Sequence, residues 1–153
     1  MIQTRHTHSG SSDATEGVGH TLAESLFAGD VVLLEGDLAA GKTTFVRGLL
    51  RGLSGNPDAV SSPSFVLIQS YECSSESIRS LHHVDLYRLG AQVSELRELG
   101  LSEVLSDAHA VVAVEWPKDT LATWIPTDAR VWRVAITIED DDARSIAITP
   151  PEG

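Results

Sequence analysis

Cysteine is almost absent from the chain, with Cys73 as the only example among 153 residues. One thiol cannot form an intrachain disulfide, and it cannot supply the several thiolates of a structural zinc site. The sequence therefore excludes a disulfide scaffold and a cysteine cage for a metal. Of the two roles left for Cys73, a reactive thiol and a bystander, we expect the bystander.

Positive charge is also scarce. The chain has 11 Lys and Arg against 22 Asp and Glu, which gives a formal net charge of −11. Proteins that bind a nucleic-acid backbone directly use clustered Lys and Arg to contact the phosphates. The composition therefore argues against DNA binding, and we expect any RNA to be held by a partner protein.

Long apolar runs are missing as well. No segment approaches the roughly 20 apolar residues of a membrane-spanning helix, and residues 1–10 lack the apolar core of a signal peptide. We therefore expect a cytoplasmic protein without a membrane partner. The hydrophobic share of 42% and the charged share of 22% are those of an ordinary globule, and the length predicts a single domain over residues 1–153.

One of the two lysines lies in a glycine-bounded segment, Gly36–Thr43, that fits the phosphate-loop pattern GxxxxGK[ST]. The apolar strand that this motif requires precedes it, at Val31–Leu34. The helix that it requires follows, because apolar residues recur at i, i+3, i+4 and i+7. These residues are Val46, Leu49, Leu50 and Leu53. An ordinary glycine turn between a strand and a helix is the alternative, and we favour nucleotide binding.

The chemistry of such a loop follows from its backbone. Amide N–H groups that point inward at a helix N-terminus can hold the negative oxygens of a triphosphate. Gly36 and Gly41 tolerate backbone angles that a Cβ disfavours. Lys42 would contact the β- and γ-phosphates, Thr43 would bind Mg²⁺ through its hydroxyl, and Thr44 would add another hydroxyl.

The remaining pattern predicts alternating strands and helices. Residues 1–12 form an edge strand or an irregular end, and a helix runs from Ser12 or Asp13 to about Phe27, before the loop helix that ends near Ser54. Residues 90–106 are helical in two pieces broken at Gly100, and a short helix ends at Trp124. Further strands are expected at Val66–Glu72, Ile78–Asp85, Ala110–Val114, Arg130–Ile138 and Ala143–Thr149, the last two as an antiparallel hairpin.

Two of these strands end in acids. Asp85 closes the strand Ile78–Asp85, and Glu115 follows the apolar strand Ala110–Val114. In phosphate-loop proteins an acid at such a strand end can hold Mg²⁺ or its water. Structural alternatives are a helix N-cap for Asp85, a solvated strand end for Glu115, a core position for Trp116, and a packed rather than catalytic His83.

Three segments together resemble the TsaE (YjeE) family of small bacterial ATPases over nearly the whole chain. They read GDLAAGKTT, VSSPSFVLIQSY, and HHVDLYRL followed by VVAVEWP. The resemblance implies a role in making the threonylcarbamoyladenosine modification of tRNA, together with the TsaB and TsaD proteins and with ATP hydrolysis. It also implies an α/β fold, a phosphate-loop NTPase-like three-layer sandwich with a mixed, mostly parallel sheet and a C-terminal antiparallel hairpin.

The resemblance and the loop chemistry also assign site residues. Catalysis falls to Lys42, Asp85 and Glu115, and Mg²⁺ binding to Thr43, Glu115 and Asp85. Ser64 belongs to a switch-like segment, Ser61–Phe65. Binding of ATP or ADP is assigned to Leu38, Ala39, Ala40, Gly41, Lys42, Thr43, Thr44, Thr15, Ser64, Trp116 and Arg144.

Two positions depart from the family pattern. The family usually has glycine where this chain has Ala39, and a methyl group there would crowd the loop if the residue needs a positive φ. Ser64 replaces a more usual threonine but keeps the hydroxyl. We expect neither change to abolish nucleotide binding.

The sequence thus predicts an ATPase that is slow alone and faster with its partners. The main alternative is a small-molecule kinase with the same loop. A GTP-binding switch is disfavoured, because Trp116–Asp119 has no asparagine where an Asn-Lys-x-Asp guanine motif needs one. A non-catalytic subunit with a structural nucleotide is the remaining alternative.

Overall fold

The computed structural model describes residues 3–60, 68–87, 100–117 and 119–152. In these residues seven strands form one sheet. The helices are α1 (Ser12–Ala23), α2 (Lys42–Gly52) and α3 (Leu101–Leu105), with 3₁₀ helices at Pro57–Ala59 and Asp119–Thr123. The strands are β1 (Arg5–Ser9), β2 (Val31–Glu35), β3 (Ile68–Glu72), β4 (Ser80–Asp85), β5 (Ala110–Glu115), β6 (Val131–Ile138) and β7 (Arg144–Thr149).

The strands lie in the order β1-β7-β6-β2-β5-β4-β3, with a parallel centre and antiparallel edges. Strand β2 pairs in parallel with both β5 and β6, and β4 pairs in parallel with β5. Antiparallel pairs join β3 to β4, β6 to β7 and β7 to β1. The predicted α/β class, a mixed sheet that is parallel in its centre, and the C-terminal hairpin are therefore confirmed, and residues 5–9 form the edge strand.

Successive side chains of β2 pack into two different hydrophobic clusters, one on each face of the sheet, because side chains alternate between the two faces of a strand. Val32 and Leu34 pack with α1 and α2 residues, including Leu49. Val31 and Leu33 pack with residues of α3 and of the second 3₁₀ helix. Helices on both faces exclude water from the central strands, which explains their unbroken apolar sequence and confirms the predicted three-layer arrangement.

Glycines let α1 and α2 pack unusually closely. A Cβ on Gly48 would lie 2.0 Å from the carbonyl oxygen of Glu16, and one on Gly19 would lie 2.4 Å from that of Phe45. Such distances leave no room for a side chain at either position. The crossing fixes α1 against the helix that begins at the phosphate loop.

Several element boundaries differ from those predicted. Helix α1 ends at Ala23 and not at Phe27, because turns begin at Glu24 and the buried Asp30 carboxylate accepts the Phe27 N–H at 3.0 Å. The predicted helical piece at residues 90–99 lies outside the described residues. Gly100 has φ 84° and precedes α3, which confirms the predicted helical piece after Gly100. None of the described helices is both long and apolar enough to cross a membrane.

Candidate nucleotide-binding site

The glycine-bounded loop connects β2 to α2, as the motif predicts. Gly36 has φ 156° and Gly41 has φ 112°, so both use the backbone region that favours glycine. A Cβ on Gly36 would also lie 2.6 Å from the Ile136 carbonyl oxygen. No side chain of the described residues caps α2, and the first-turn amides of a helix have no partner within it. The loop therefore presents free N–H donors and a positive helix end, which suit an anion.

Ala39 has φ 63°, in the left-handed region. This is the geometry in which its methyl group is unfavourable, and alanine there costs about 1–2 kcal/mol relative to a right-handed conformation. The departure from the family's glycine therefore places strain in the loop without changing its connection to α2.

Lys42 lies folded back on its own loop and is only 5% exposed. Its Nζ donates to the carbonyl oxygens of Gly36 at 2.5 Å and Asp37 at 2.9 Å. The same ammonium lies 4.0 Å from the centroid of the Trp116 ring. Burial lowers the pKa of Lys42, and the negative charges of Glu115, Asp85 and Asp37 act against that decrease.

The Glu115 carboxylate joins β5 to the loop helix. It is 4% exposed, and its Oε2 accepts a hydrogen bond from Thr43 Oγ1 at 3.0 Å. The same oxygen is bonded to His83 Nε2 at 2.5 Å. Glu115 is thus a buried side chain with two hydrogen-bond partners on Oε2, and the alternative of a solvated strand end is wrong.

Asp85 lies beside Glu115, because these two residues are register partners at the carboxyl ends of β4 and β5. Its Oδ1 accepts the Tyr87 N–H at 2.9 Å. Burial raises the pKa of Asp85, the Tyr87 N–H lowers it, and the nearby Glu115 charge raises it further. The sheet therefore brings both predicted acids to the edge where the phosphate loop begins.

The oxygen atoms gathered here suit a small hard cation. The Thr43 hydroxyl and the carboxylates of Glu115 and Asp85 are ligand types that Mg²⁺ prefers. In the described part of the chain, no group of three or more His, Cys, Asp or Glu side chains could hold a metal ion. Because Mg²⁺ is commonly held by one or two carboxylates together with nucleotide phosphates, this set fits a magnesium–nucleotide site.

Trp116 follows Glu115 with φ 57°, an unusual conformation for a bulky residue. Its ring lies 4.8 Å from that of Tyr87, centroid to centroid. Strained backbone of this kind is common at functional sites. This backbone conformation places the indole ring over Lys42. Trp116 therefore lies beside the phosphate loop and not in the core.

A cleft of about 110 Å³ lies between the phosphate loop, the start of α1 and the turn between β6 and β7. Arg144 Nε donates to the Ala40 carbonyl oxygen at 2.9 Å, and Nη1 donates to the Asp140 carbonyl oxygen at 2.9 Å. Arg144 therefore ties the phosphate loop to the turn between β6 and β7. The lining residues are Ser11, Ser12, Thr15, Ala39, Ala40, Gly41, Thr44, Asp141, Asp142 and Arg144.

Comparison with known proteins identifies the family. The family model described as threonylcarbamoyl adenosine biosynthesis protein TsaE matches residues 9–146. The chain belongs to the TsaE family. A relative in Nostoc sp. PCC 7120, named tRNA threonylcarbamoyladenosine biosynthesis protein TsaE, is 40% identical over 142 residues, which cover 90% of this chain and 81% of that protein.

Other relatives extend this result. The protein of the same name in Streptomyces coelicolor is 38% identical over 134 residues, which cover 86% of this chain and 87% of that protein. The crystal structure of YdiB from Bacillus subtilis superposes with a TM-score of 0.72 at 28% identity, covering 99% of this chain and 88% of that one. The resemblance inferred from the motifs is confirmed.

Within this TsaE-family structure, most of the predicted site residues converge. Lys42, Thr43, Asp85, Glu115 and Trp116 lie at one end of the loop. Thr15, Ala39, Ala40, Gly41, Thr44 and Arg144 line the cleft. Leu38 is 59% exposed at the loop surface, and Ser64, with the segment Ser61–Phe65, lies outside the described residues.

Thr15, which the resemblance assigns to nucleotide binding, lies on α1 and lines the cleft beside the loop. It is 2% exposed, and its Oγ1 shares a 2.7 Å hydrogen bond with Ser9 Oγ. A Cβ on Gly41 would lie 3.5 Å from the Thr15 methyl group. Thr15 therefore supports the loop from α1 with its methyl group while its hydroxyl is held by β1.

Two site residues were not among those assigned from the sequence. The Tyr87 ring contacts the Trp116 ring in a tilted arrangement, and His83 bonds Glu115. A signal for His83 was available, because it lies two residues before Asp85 and strand alternation puts both side chains on one face. No such signal existed for Tyr87, whose partner comes from another strand.

Cys73 lies away from this site, after β3. Burial raises the pKa of its thiol to about 11. The thiolate is the reactive form, so little of it is present at neutral pH. This agrees with the bystander role expected from the sequence.

Proposed function

We propose that this TsaE-family chain binds Mg-ATP and hydrolyses it to ADP and phosphate, and that it thereby serves the biosynthesis of threonylcarbamoyladenosine in tRNA. The observation that carries the proposal is the 3.0 Å hydrogen bond between Thr43 and the buried Glu115. It joins the phosphate loop to an acid at the end of the adjacent strand. The names of the relatives support the tRNA modification.

Phosphate binding depends on the loop amides and on Lys42. The Lys42 ammonium now donates to two loop carbonyls, and phosphate oxygens carry more negative charge than carbonyl oxygens. We expect Lys42 to turn from those carbonyls to the β- and γ-phosphates. The buried setting strengthens that contact, because charges interact more strongly where water is excluded.

The acids act on the cation and on the attacking water. Bound Mg²⁺ would neutralise charge on the phosphate oxygens during transfer. Thr43 would contribute its hydroxyl oxygen, and Glu115 and Asp85 would orient the cation and the water. Preorganised groups of this kind typically contribute about 100-fold or more to a rate.

The charge of the chain bears on its partners. A net charge of −11 disfavours direct contact with tRNA. We therefore propose that tRNA is reached only through a complex with the TsaB and TsaD proteins, in the cytoplasm, and that docking on these partners accelerates hydrolysis.

Calorimetry with Mg-ADP and an assay of phosphate release test the proposal. We expect saturable binding, slow hydrolysis by the chain alone, and faster hydrolysis with TsaB and TsaD. Lys42→Ala should lower the rate by about 100-fold. The matched control is Arg47→Ala, which changes a positive side chain of the same helix that instead donates to the Val60 carbonyl oxygen at 3.4 Å.

Other outcomes would favour the alternatives. Absence of binding, or equal rates with and without the partners, would contradict the proposal. Transfer of labelled phosphate to a small acceptor in place of water would favour a kinase, and stronger competition by GTP than by ATP would favour a GTP-binding switch. If Lys42→Ala still supported tRNA modification, the nucleotide would have only a structural role.

A further inference from the structure

His83 is the most deeply buried titratable side chain beside the predicted metal ligands, and it has no assigned role. Its side chain is 0% exposed, and it lies on β4 between Leu81 and Asp85. Burying an imidazole in an apolar layer costs free energy unless its polar atoms are bonded. A hydrophobic residue would suit the packing better, so the polarity at this position requires an explanation.

In the part of the chain that the structure describes, the hydrogen-bond partner of His83 is Glu115. Nε2 is bonded to Glu115 Oε2 at 2.5 Å. In the described residues, Nδ1 is buried and has no hydrogen-bond partner. Within the described residues, one ring nitrogen is thus unpaired while the other contacts Glu115, so the hydrogen bond that His83 makes there is to that carboxylate.

The same carboxylate oxygen also accepts the Thr43 hydroxyl. A carboxylate with two donors on Oε2 cannot rotate freely, and within the described residues neither donor reaches Oε1. Because Thr43 donates its proton to Glu115, its oxygen lone pairs stay available to a cation. The hydrogen bonds among Thr43, Glu115 and His83 therefore orient the Thr43 hydroxyl oxygen and the Glu115 carboxylate before Mg²⁺ binds.

We propose that His83 is a positioning residue that holds the Glu115 carboxylate in its magnesium-binding orientation through Nε2. The inference rests on the proposed function, because it assigns the residue that prepares its metal site. Hydrogen-bond partners of metal ligands typically contribute about 10- to 100-fold to metal affinity or activity. His83 should therefore govern the Mg²⁺ requirement for nucleotide binding more than nucleotide binding itself.

The test measures ADP binding by calorimetry across a Mg²⁺ titration and again in EDTA. His83→Leu, which removes the donor, should raise the half-saturating Mg²⁺ concentration by about 10- to 100-fold. ADP binding in EDTA should stay unchanged. His83→Gln, whose amide nitrogen can occupy the position of Nε2, should restore the requirement to within about threefold of that of the unaltered chain.

Two further variants separate positioning from packing. His83→Asn keeps a polar amide too short to reach Glu115, so it should resemble His83→Leu and not His83→Gln. His82→Leu is the matched control on the same strand, since His82 instead bonds Ser70 and Asp107. It should leave the Mg²⁺ requirement unchanged. Thermal unfolding shows whether each variant is folded. If His83→Leu does not fold, the comparison of His83→Gln with His83→Asn distinguishes positioning from packing.

A Glu115→Ala background provides an independent check. There His83→Leu should cause no further increase in the Mg²⁺ requirement. An unchanged requirement in His83→Leu, or equal increases in the Gln and Asn variants, would overturn the positioning role while leaving the proposed function intact. If the unaltered chain bound ADP without any effect of Mg²⁺, or did not bind it, the proposed function and this inference would both fail.

Discussion

The Lys42 ammonium lies 4.0 Å from the centroid of the Trp116 ring, so the phosphate-loop lysine is covered by the residue that follows β5. The contact depends on a left-handed Trp116 backbone, φ 57°. A cation over an indole face is stabilised by about 0.5–2 kcal/mol. Lys42 is thus held by an aromatic ring and two carbonyl groups, and under the proposed function these contacts would be exchanged for phosphate oxygens.

This relationship makes Trp116 a reporter of phosphate binding. In a Trp124→Phe/Trp132→Phe variant, Mg-ADP should change the fluorescence of Trp116, because Lys42 leaves the ring for the phosphates. The matched control adds Lys42→Ala, in which the change should be lost or strongly reduced at nucleotide concentrations that saturate the parent variant. Constant fluorescence at calorimetric saturation would contradict this assignment.

Strain at Ala39 predicts a stabilising substitution. Ala39→Gly should increase the free energy of unfolding by about 0.5–1 kcal/mol, because glycine adopts the positive φ without the Cβ penalty, and its greater unfolded-state entropy offsets only part of the gain. Ala40→Gly is the control in the same loop. Ala40 is 1% exposed and its φ is not positive, so loss of its methyl group should decrease stability by about 1 kcal/mol. Urea unfolding measures both, and equal signs would disprove the argument.

The close crossing of α1 and α2 predicts that Gly48 cannot be replaced. In Gly48→Ala the new methyl group would meet the Glu16 carbonyl oxygen, and the helices must separate at a cost of about 1–3 kcal/mol. Gly17→Ala, where a Cβ has no atom within 4 Å, should instead stabilise α1 by about 0.5–1 kcal/mol. Thermal and urea unfolding compare the two. A neutral Gly48→Ala would show that the helices can separate without cost.

Asp85 should trade stability for activity. Its pKa is raised in the folded chain, so folding favours the protonated form. The cost is absent below the unfolded pKa near 4, and it grows as the pH rises through the folded pKa. At neutral pH, Asp85→Asn should therefore raise the melting temperature by about 1–3 °C while lowering ATP hydrolysis by about 100-fold.

The pH dependence provides the check on Asp85. The stability advantage of Asp85→Asn should disappear below about pH 4. There the Asp85 carboxyl is protonated, so it is uncharged like the asparagine amide. Asp128→Asn, a change at an exposed acid, should leave the melting temperature and the hydrolysis rate unchanged. If Asp85→Asn melted at a lower temperature than the unaltered chain at neutral pH, burial could not be the cause of the raised pKa of Asp85.

Several secondary-structure elements could be predicted from short stretches of sequence. The apolar run before Gly36 could be satisfied only by a strand covered on both faces, and the glycine spacing with Lys42 and Thr43 specifies a phosphate-binding turn through backbone geometry. These signals act over a few residues, so the strands, the loop and α2 were predicted nearly as they are. Less exact was the end of α1, because a distant partner of Asp30, the Trp132 indole at 3.0 Å, helps fix the carboxylate that forms the turn there.

By itself, then, the sequence determined the fold class, the family and the glycine-bounded loop between β2 and α2, since periodicity and motif spacing are local properties. Only the tertiary structure decided that Thr43 and His83 share one oxygen of Glu115, that Trp116 covers Lys42, and that glycine contacts press α1 against α2. These are contacts between segments far apart along the chain. They depend on strand register and side-chain direction, which are settled only when the sheet and its two helical layers pack together.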